Sequence, residues 1–293
     1  LRKGKAVNAE ALESAERLVE EFHDLPPLPS IVVRLGELLS NPRTSAQKVG
    51  ELLSSEPSIA SKILGIANSA YYGFPERIST LSHAVVVLGF NTVRNIVLTS
   101  GIMRALNKFA REARYDHFRF WKHSVACGAA SKVIASRLGG TRVEEYFIFG
   151  LLHDIGKLVI QGGRPSEARR VAELVAGGKK TLDAERIVLG TTHAEIGGAL
   201  LARWRLPAVF DDAVRHHHAP ALAREDPKAA AVVHVADVLV HALLLSGSEG
   251  ESLPSLSAEA WAIVRLFPET LPGIFQEIFE LIERAEAFLD LGR

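Results

Sequence analysis

Nine of the eleven histidines in this 293-residue chain fall between positions 117 and 241, and the sharpest motif among them is Gly150-Leu151-Leu152-His153-Asp154-Ile155-Gly156-Lys157. An apolar helix is expected to end there in adjacent His and Asp, with Gly156 letting the chain turn away. An imidazole nitrogen and a carboxylate oxygen both suit borderline divalent cations, so the pair can bind one ion or bridge two. Taken alone, the same pair fits a helix C-terminus whose polar side chains satisfy backbone carbonyls. Two further segments change the balance. His123, thirty residues upstream, lies in Phe120-Trp121-Lys122-His123-Ser124-Val125-Ala126 on one face of a helix. Asp237 lies in His234-Val235-Ala236-Asp237-Val238-Leu239, an otherwise apolar helix in which a buried carboxylate needs a partner, and a cation is a good one. His123, His153, Asp154 and Asp237 thus make four ligands from three helices, a recurrent way to build a site in a bundle core.

Helical spacing of apolar residues runs through nearly the whole chain. Ile31, Leu35, Leu38 and Leu39 follow the pattern of one buried stripe, with Ser30 just before them. Thr44 and Gln47 form a capping-box pattern ahead of Val49, Leu52 and Leu53, and Pro57 suits the first turn of a helix that carries Ile59, Ile63 and Ile66. Thr80 and Asn91 read as N-caps. Val85-Val86-Val87-Leu88 has the β-branched composition of a strand. It sits between the Thr80 cap and Gly89, however, and no partner with two-residue alternation exists, so it is assigned to a helix. Further helices are predicted over 117–138, 143–153, 166–176, 181–190, 194–204, 207–217, 228–245, 257–266 and 269–289. The fold class is therefore all-α. Segments 107–116, rich in charge, and 246–256, rich in Ser, Gly and Glu, are the softest. Placing a boundary in the first gives an N-terminal helical sub-domain, 1–112, and a domain at 113–293 that bears the candidate site.

Composition removes several functional classes. Lys+Arg and Asp+Glu both number 34, so no global field draws phosphate backbones or anionic membranes, and bulk nucleic-acid binding is disfavoured. Val49 to Ala67 resembles two short helices joined by a turn, but Lys62 alone among the basic residues of the second offers too little phosphate anchoring for DNA. The single cysteine, Cys127, cannot close an internal disulfide, fits a reducing compartment and is expected to pack as a small apolar side chain. Metal donors are then expected from His, Asp, Glu and water. No run reaches the ~18 apolar residues of a membrane span and no signal-peptide pattern opens the sequence, so a cytoplasmic location is expected.

Several of these segments together resemble the HD superfamily of metal-dependent phosphohydrolases, and more closely its HDOD subfamily of bacterial signalling proteins. The resemblance covers about residues 22–240. It rests on Leu25-Pro26-Pro27-Leu28-Pro29, Glu56-Pro57-Ser58-Ile59-Ala60 through Ala67-Asn68-Ser69-Ala70, Ala84 through Leu88-Gly89, Phe120-Trp121 with His123, Trp204-Arg205-Leu206-Pro207 and His217-His218-Ala219-Pro220. It implies an HD-like helical bundle used as a regulatory or interaction module, often with ligands lost. Here all four HD ligand positions are filled. His193, in His193-Ala194-Glu195-Ile196-Gly197, and the pair His217-His218 match the extra histidines of the HD-GYP relatives that cleave cyclic dinucleotides. The resemblance thus implies seven candidate ligands, enough for one or two divalent ions, with Fe, Mn, Ni, Co and Zn equally admissible. It also implies a catalytic role for Asp154, and for Lys157 as a point charge toward a phosphate. Two departures count against a cyclic-dinucleotide esterase: Ala219-Pro220 follows His218 where those relatives carry Glu and a Gly-Tyr-Pro loop, and Arg119 stands where some place a Glu ligand.

The other histidines read more plainly. His216 is expected at a solvated helix end, His23, His83 and His117 as structural, and His234 and His241 as core or surface residues that could also support Asp237. Three functions follow: a signal-transduction module keeping an HD-type metal centre, an active phosphohydrolase on a nucleotide or cyclic dinucleotide, or a metal-free adaptor. The expected partner is a signalling protein or a small phosphorylated ligand, and the oligomeric state is left open.

Overall fold

A computed structural model of the protein describes residues 2–22, 25–109, 115–139, 142–243, 245 and 253–292. His23, expected to be structural, and the stretches 110–114 and 246–252 of the two soft segments lie outside the described residues. Among the described residues there is no strand, and the fold is all-α. The chain forms two compact units, a larger one of residues 1–25 and 108–278 and a smaller one of 26–107 and 279–293. Compactness therefore groups the chain otherwise than a linear split at 112.

Helix α1 (Arg2–Glu21) belongs to the larger unit. The smaller unit contains α2 (Ser30–Ser40), α3 (Ala46–Ser54), α4 (Pro57–Ala67), α5 (Leu81–Leu88) and most of α6 (Phe90–Phe109). Its core takes Ile31 and Leu35 of the predicted stripe, whose Leu38 and Leu39 are only partly buried, with Ile59, Ile63 and Ile66; each buried residue contributes about 1.5–3 kcal/mol by leaving water. The three isoleucines of α4 thus face the core, and Lys62 donates to the carbonyl of Leu291. Tyr71 meets Phe288 edge-on at 5.0 Å. Residues Val85–Leu88 are helical as expected, and Thr80 caps α5 by accepting from His83 N at 3.2 Å.

Three caps differ in register from the sequence expectation. Ser45, not Thr44, caps α3 by accepting from Lys48 N at 3.3 Å, while Thr44 donates to Leu38 O at 2.5 Å and Gln47 to Glu51. Ser30 lies inside α2, whose N-cap is Pro29, and Asn91 lies inside α6. The α5–α6 pair bends by 114°, and no single described helix is long and apolar enough to cross a membrane.

The larger unit continues with α7 (His117–Arg137), α8 (Val143–Leu152), α9 (Ile155–Gly163), α10 (Pro165–Ala176), α11 (Thr181–Leu189), α12 (His193–Arg203), α13 (Ala208–His216), α14 (Pro227–Ala242), α15 (Ala258–Val264) and α16 (Leu271–Arg284). Helix α7 packs on α8 and α14, while α12 packs on α9, α13 and α1. All residues of α14 from Ala229 to His241 are buried. A helix apolar on every side belongs in a core, and this places Asp237 in the middle of one.

Candidate metal centre

Four helix ends and two helix middles converge at one buried place. His123 comes from α7, His153 and Asp154 from the joint between α8 and α9, His193 from the first position of α12, His217 and His218 from just after α13, and Asp237 from α14. The reversal falls on His153-Asp154 itself, because α9 already begins at Ile155; the expected turn at Gly156 is absent. Gly156 serves a close approach instead. A Cβ there would overlap the His193 carbonyl and lie 2.9 Å from Gly197 N, so only glycine lets α9 seat against α12. A Thr192 capping box with Glu195 fixes where α12 starts, and hence where His193 points.

Asp154 stands between two donor sets. Its Oδ2 lies 3.7 Å from His123 Nε2 and 3.4 Å from His153 Nε2, and Asp237 Oδ1 lies 3.4 and 3.7 Å from the same two nitrogens. Its Oδ1 lies 3.1 Å from His193 Nε2 and 3.8 Å from His217 Nε2, with His218 Nε2 3.0 Å from His193 Nε2. Two nitrogen or oxygen donors each about 2.0–2.2 Å from one ion, at a tetrahedral angle, sit about 3.3–3.6 Å apart. The observed spacings straddle that value, so the residues fit divalent ions.

The imidazoles are held so that Nε2 faces inward. His123 Nδ1 donates to Leu245 O at 2.8 Å, His153 Nδ1 to Gly150 O at 2.7 Å and His217 Nδ1 to Val214 O at 2.6 Å. His193 Nδ1 instead donates to the Glu185 carboxylate, 2.8 Å from Oε2, which also accepts from His193 N at 2.9 Å. Such outer partners fix tautomer and ring orientation in metal sites. His153 Nε2 and His217 Nε2 are buried without a hydrogen-bond partner, a costly state for a basic nitrogen unless an ion takes the lone pair. Glu185 is a site residue that motif reading misses. His234 and His241 also lie closer to the site than expected. His234 Nδ1 donates to His217 O at 2.7 Å, and His241 Nδ1 is 2.9 Å from Asp237 Oδ1.

Charge within the cluster is divided accordingly. Burial lowers the pKa of His153, but Asp154 and Asp237 outweigh it and raise it to about 9. Burial likewise opposes His193, yet Glu185 and Asp154 raise it to about 10. Burial and the nearby His193 push His218 down to about 3, and burial with His218 and His153 holds His217 well below the usual range. Against burial, His153, Lys157 and His193 keep Asp154 ionised, and the close approach of His123, His153 and His241 does the same for Asp237.

A cavity of about 180 Å³ opens beside the cluster, lined by Asp154, Lys157, Lys180, Thr181, His218 and Ser255 among others. Lys157 Nζ lies 2.8 Å from Asp154 Oδ2. His216 points elsewhere, with Nε2 3.6 Å from Asp212. His83 is exposed, and His117 packs against Tyr115.

The family model of the HDOD domain matches residues 25–220. A solved HDOD domain protein of unknown function from Geobacter sulfurreducens has a TM-score of 0.79 at 27% identity, covering 95% of this chain and 98% of that one. A candidate phosphohydrolase from Shewanella amazonensis SB2B gives 0.75 at 25% identity, covering 96% and 98%. An uncharacterized protein of Treponema pallidum (strain Nichols) is 26% identical over 216 residues, 72% of this chain and 41% of that relative, so the chain spans less than half of that curated protein's length.

Proposed function

This chain belongs to the HDOD domain family, and from that premise we propose that it is a signal-transduction module whose larger unit keeps an HD-type divalent-metal centre. The observation that carries the reading is the inward aim of the Nε2 atoms of His123, His153, His193 and His217, each anchored through Nδ1, around the two oxygens of Asp154. His123, His153, Asp154 and Asp237 would hold one ion, and Asp154, His193, His217 and His218 a second. Asp154 would contribute to both, its Oδ2 lying toward His123 and His153 and its Oδ1 toward His193 and His217. Bound ions would supply Lewis acidity and an activated water. In the regulatory reading the cavity admits a small phosphorylated signal or the centre stabilises a surface for a signalling partner.

A phosphohydrolase is the second reading, favoured by Lys157 and Lys180 both lining the cavity. Lys157 would meet a phosphoryl oxygen as a point charge, and Asp154 would orient the reacting group. The volume of about 180 Å³ lies below the ~300–1,000 Å³ of pockets for drug-sized ligands, which favours a phosphomonoester head over an intact cyclic dinucleotide.

Protein purified without a His tag should contain bound transition metal by elemental analysis, and His153→Ala and Asp154→Ala should lose it. Wild-type protein that stays metal-free after incubation with Mn, Fe or Zn would leave the metal-free adaptor. A phosphatase and phosphodiesterase panel with added Mn or Fe separates the first two readings: turnover abolished in both variants marks an enzyme.

A further inference from the structure

Cys127 lies four residues after His123 on α7 and is completely buried. Its Sγ is 3.5 Å from His123 Nε2 and 4.0 Å from Asp237 Oδ1. Sγ and one donor atom each from His123, His153 and Asp237 all lie within 4.8 Å of one another. A second observation points at the same spot: His153 Nε2 is buried there without a hydrogen-bond partner. The backbone is shaped to bring α8 close, since a Cβ on Gly150 would stand 2.5 Å from the Cys127 carbonyl. Only glycine lets the turn carrying His153 press against the turn carrying Cys127.

The alternative fourth donor for this ion is Asp154 Oδ2, and it is engaged by the Lys157 ammonium at 2.8 Å. We propose that Cys127 is a thiolate ligand of the first ion, taking in the set with His123, His153 and Asp237 the place given above to Asp154 Oδ2, so that Asp154 serves the second set. This rests on the metal-centre reading above. With Zn–S near 2.3 Å and Zn–N near 2.0–2.1 Å, sulfur and nitrogen on one tetrahedral ion lie about 3.6 Å apart. The 3.5 Å between Sγ and His123 Nε2 matches that edge.

Coordination balances simply: the ion replaces the thiol proton, which leaves to solvent. A sulfur donor turns selectivity toward Zn and away from Mn or Mg. Four protein donors also close the coordination shell, as in structural zinc sites, so ligand exchange falls to the second ion. The lone cysteine, expected from the sequence to be apolar filling, thereby decides which metal the protein keeps.

Cobalt(II) tests this directly on the full chain, metal-free and in buffer without added thiol. Wild-type protein should show a sulfur-to-cobalt charge-transfer band in the near ultraviolet together with visible d–d bands. Cys127→Ser and Cys127→Ala should lose the charge-transfer band while retaining d–d bands from the second set. Cobalt bound with d–d bands alone in the wild type overturns the thiolate assignment and leaves the metal centre standing. No cobalt uptake at all overturns the metal centre itself. Should the variants misfold, X-ray absorption of the zinc-loaded wild type decides: a sulfur scatterer at about 2.3 Å supports the assignment, and a shell of light atoms only refutes it.

Discussion

Lys157 Nζ and Asp154 Oδ2 form a 2.8 Å ion pair across one turn at the start of α9, on the carboxylate that also faces His193 through Oδ1. An ammonium and a metal ion compete for the same oxygen. Lys157→Met should therefore tighten divalent-ion binding, by roughly tenfold or about 1.4 kcal/mol. The same change should abolish competition by inorganic phosphate. Chelator-competition titration with and without phosphate measures both; weaker ion binding in the variant would contradict the pairing.

Glu185 grips His193 twice, through Nδ1 and through the backbone N–H. Glu185→Ala should weaken the second set about 10- to 100-fold, and Glu185→Gln should recover part of that by preserving an acceptor. The first set should be unchanged. Two-site zinc titration by calorimetry reads the sets separately.

The ion-free protein should have a stability optimum near neutral pH. His153 and His193 have pKa values raised to about 9 and about 10, so their contribution is full below the unfolded value of about 6.5 and is lost as pH rises through 9 to 10. His217 and His218 are lowered, the latter to about 3, so their contribution is present above about 6.5 and is lost as pH falls. Urea unfolding of chelator-treated protein across this range should show decline on both sides. Bound metal should flatten the alkaline limb, because ions replace the protons on His153 and His193.

Gly156→Ala should destabilise the fold by about 1–3 kcal/mol through overpacking of α9 on α12. Because the collision is with the His193 carbonyl, it should also displace that ligand. Denaturant midpoints and metal stoichiometry check the two effects; a variant equal to wild type in both would show that the approach can relax.

Asp237 was readable because a carboxylate in an apolar helix demands a partner; it is 2% exposed on an entirely buried stretch of α14, with His241 Nδ1 2.9 Å from its Oδ1. The adjacent His153 and Asp154 were readable as a motif, and the structure brings all seven named donors together. Glu185 was not readable. It stands in Thr181–Leu189, whose charged residues look like an ordinary solvated face, eight residues before its partner. Helix α9 escaped notice because Gly156, Gly162 and Gly163 imitate breakers, whereas each serves close packing. The cap of α3 slipped by one because Thr44 and Ser45 offer the same chemistry side by side. Residues 2–21 form a helix to which the apolar pattern assigned none.

The smaller unit joins residues 26–107 to 279–293, with the Leu291 carbonyl on Lys62 and Phe288 on Tyr71. About 170 residues separate the two pieces, so at roughly 5–20 residues per second a ribosome needs about 10–35 s to deliver the second after the first. During that interval the nascent helices around Tyr71 lack their closing segment. The core around Tyr71 is therefore completed only by the last-made residues of the unit.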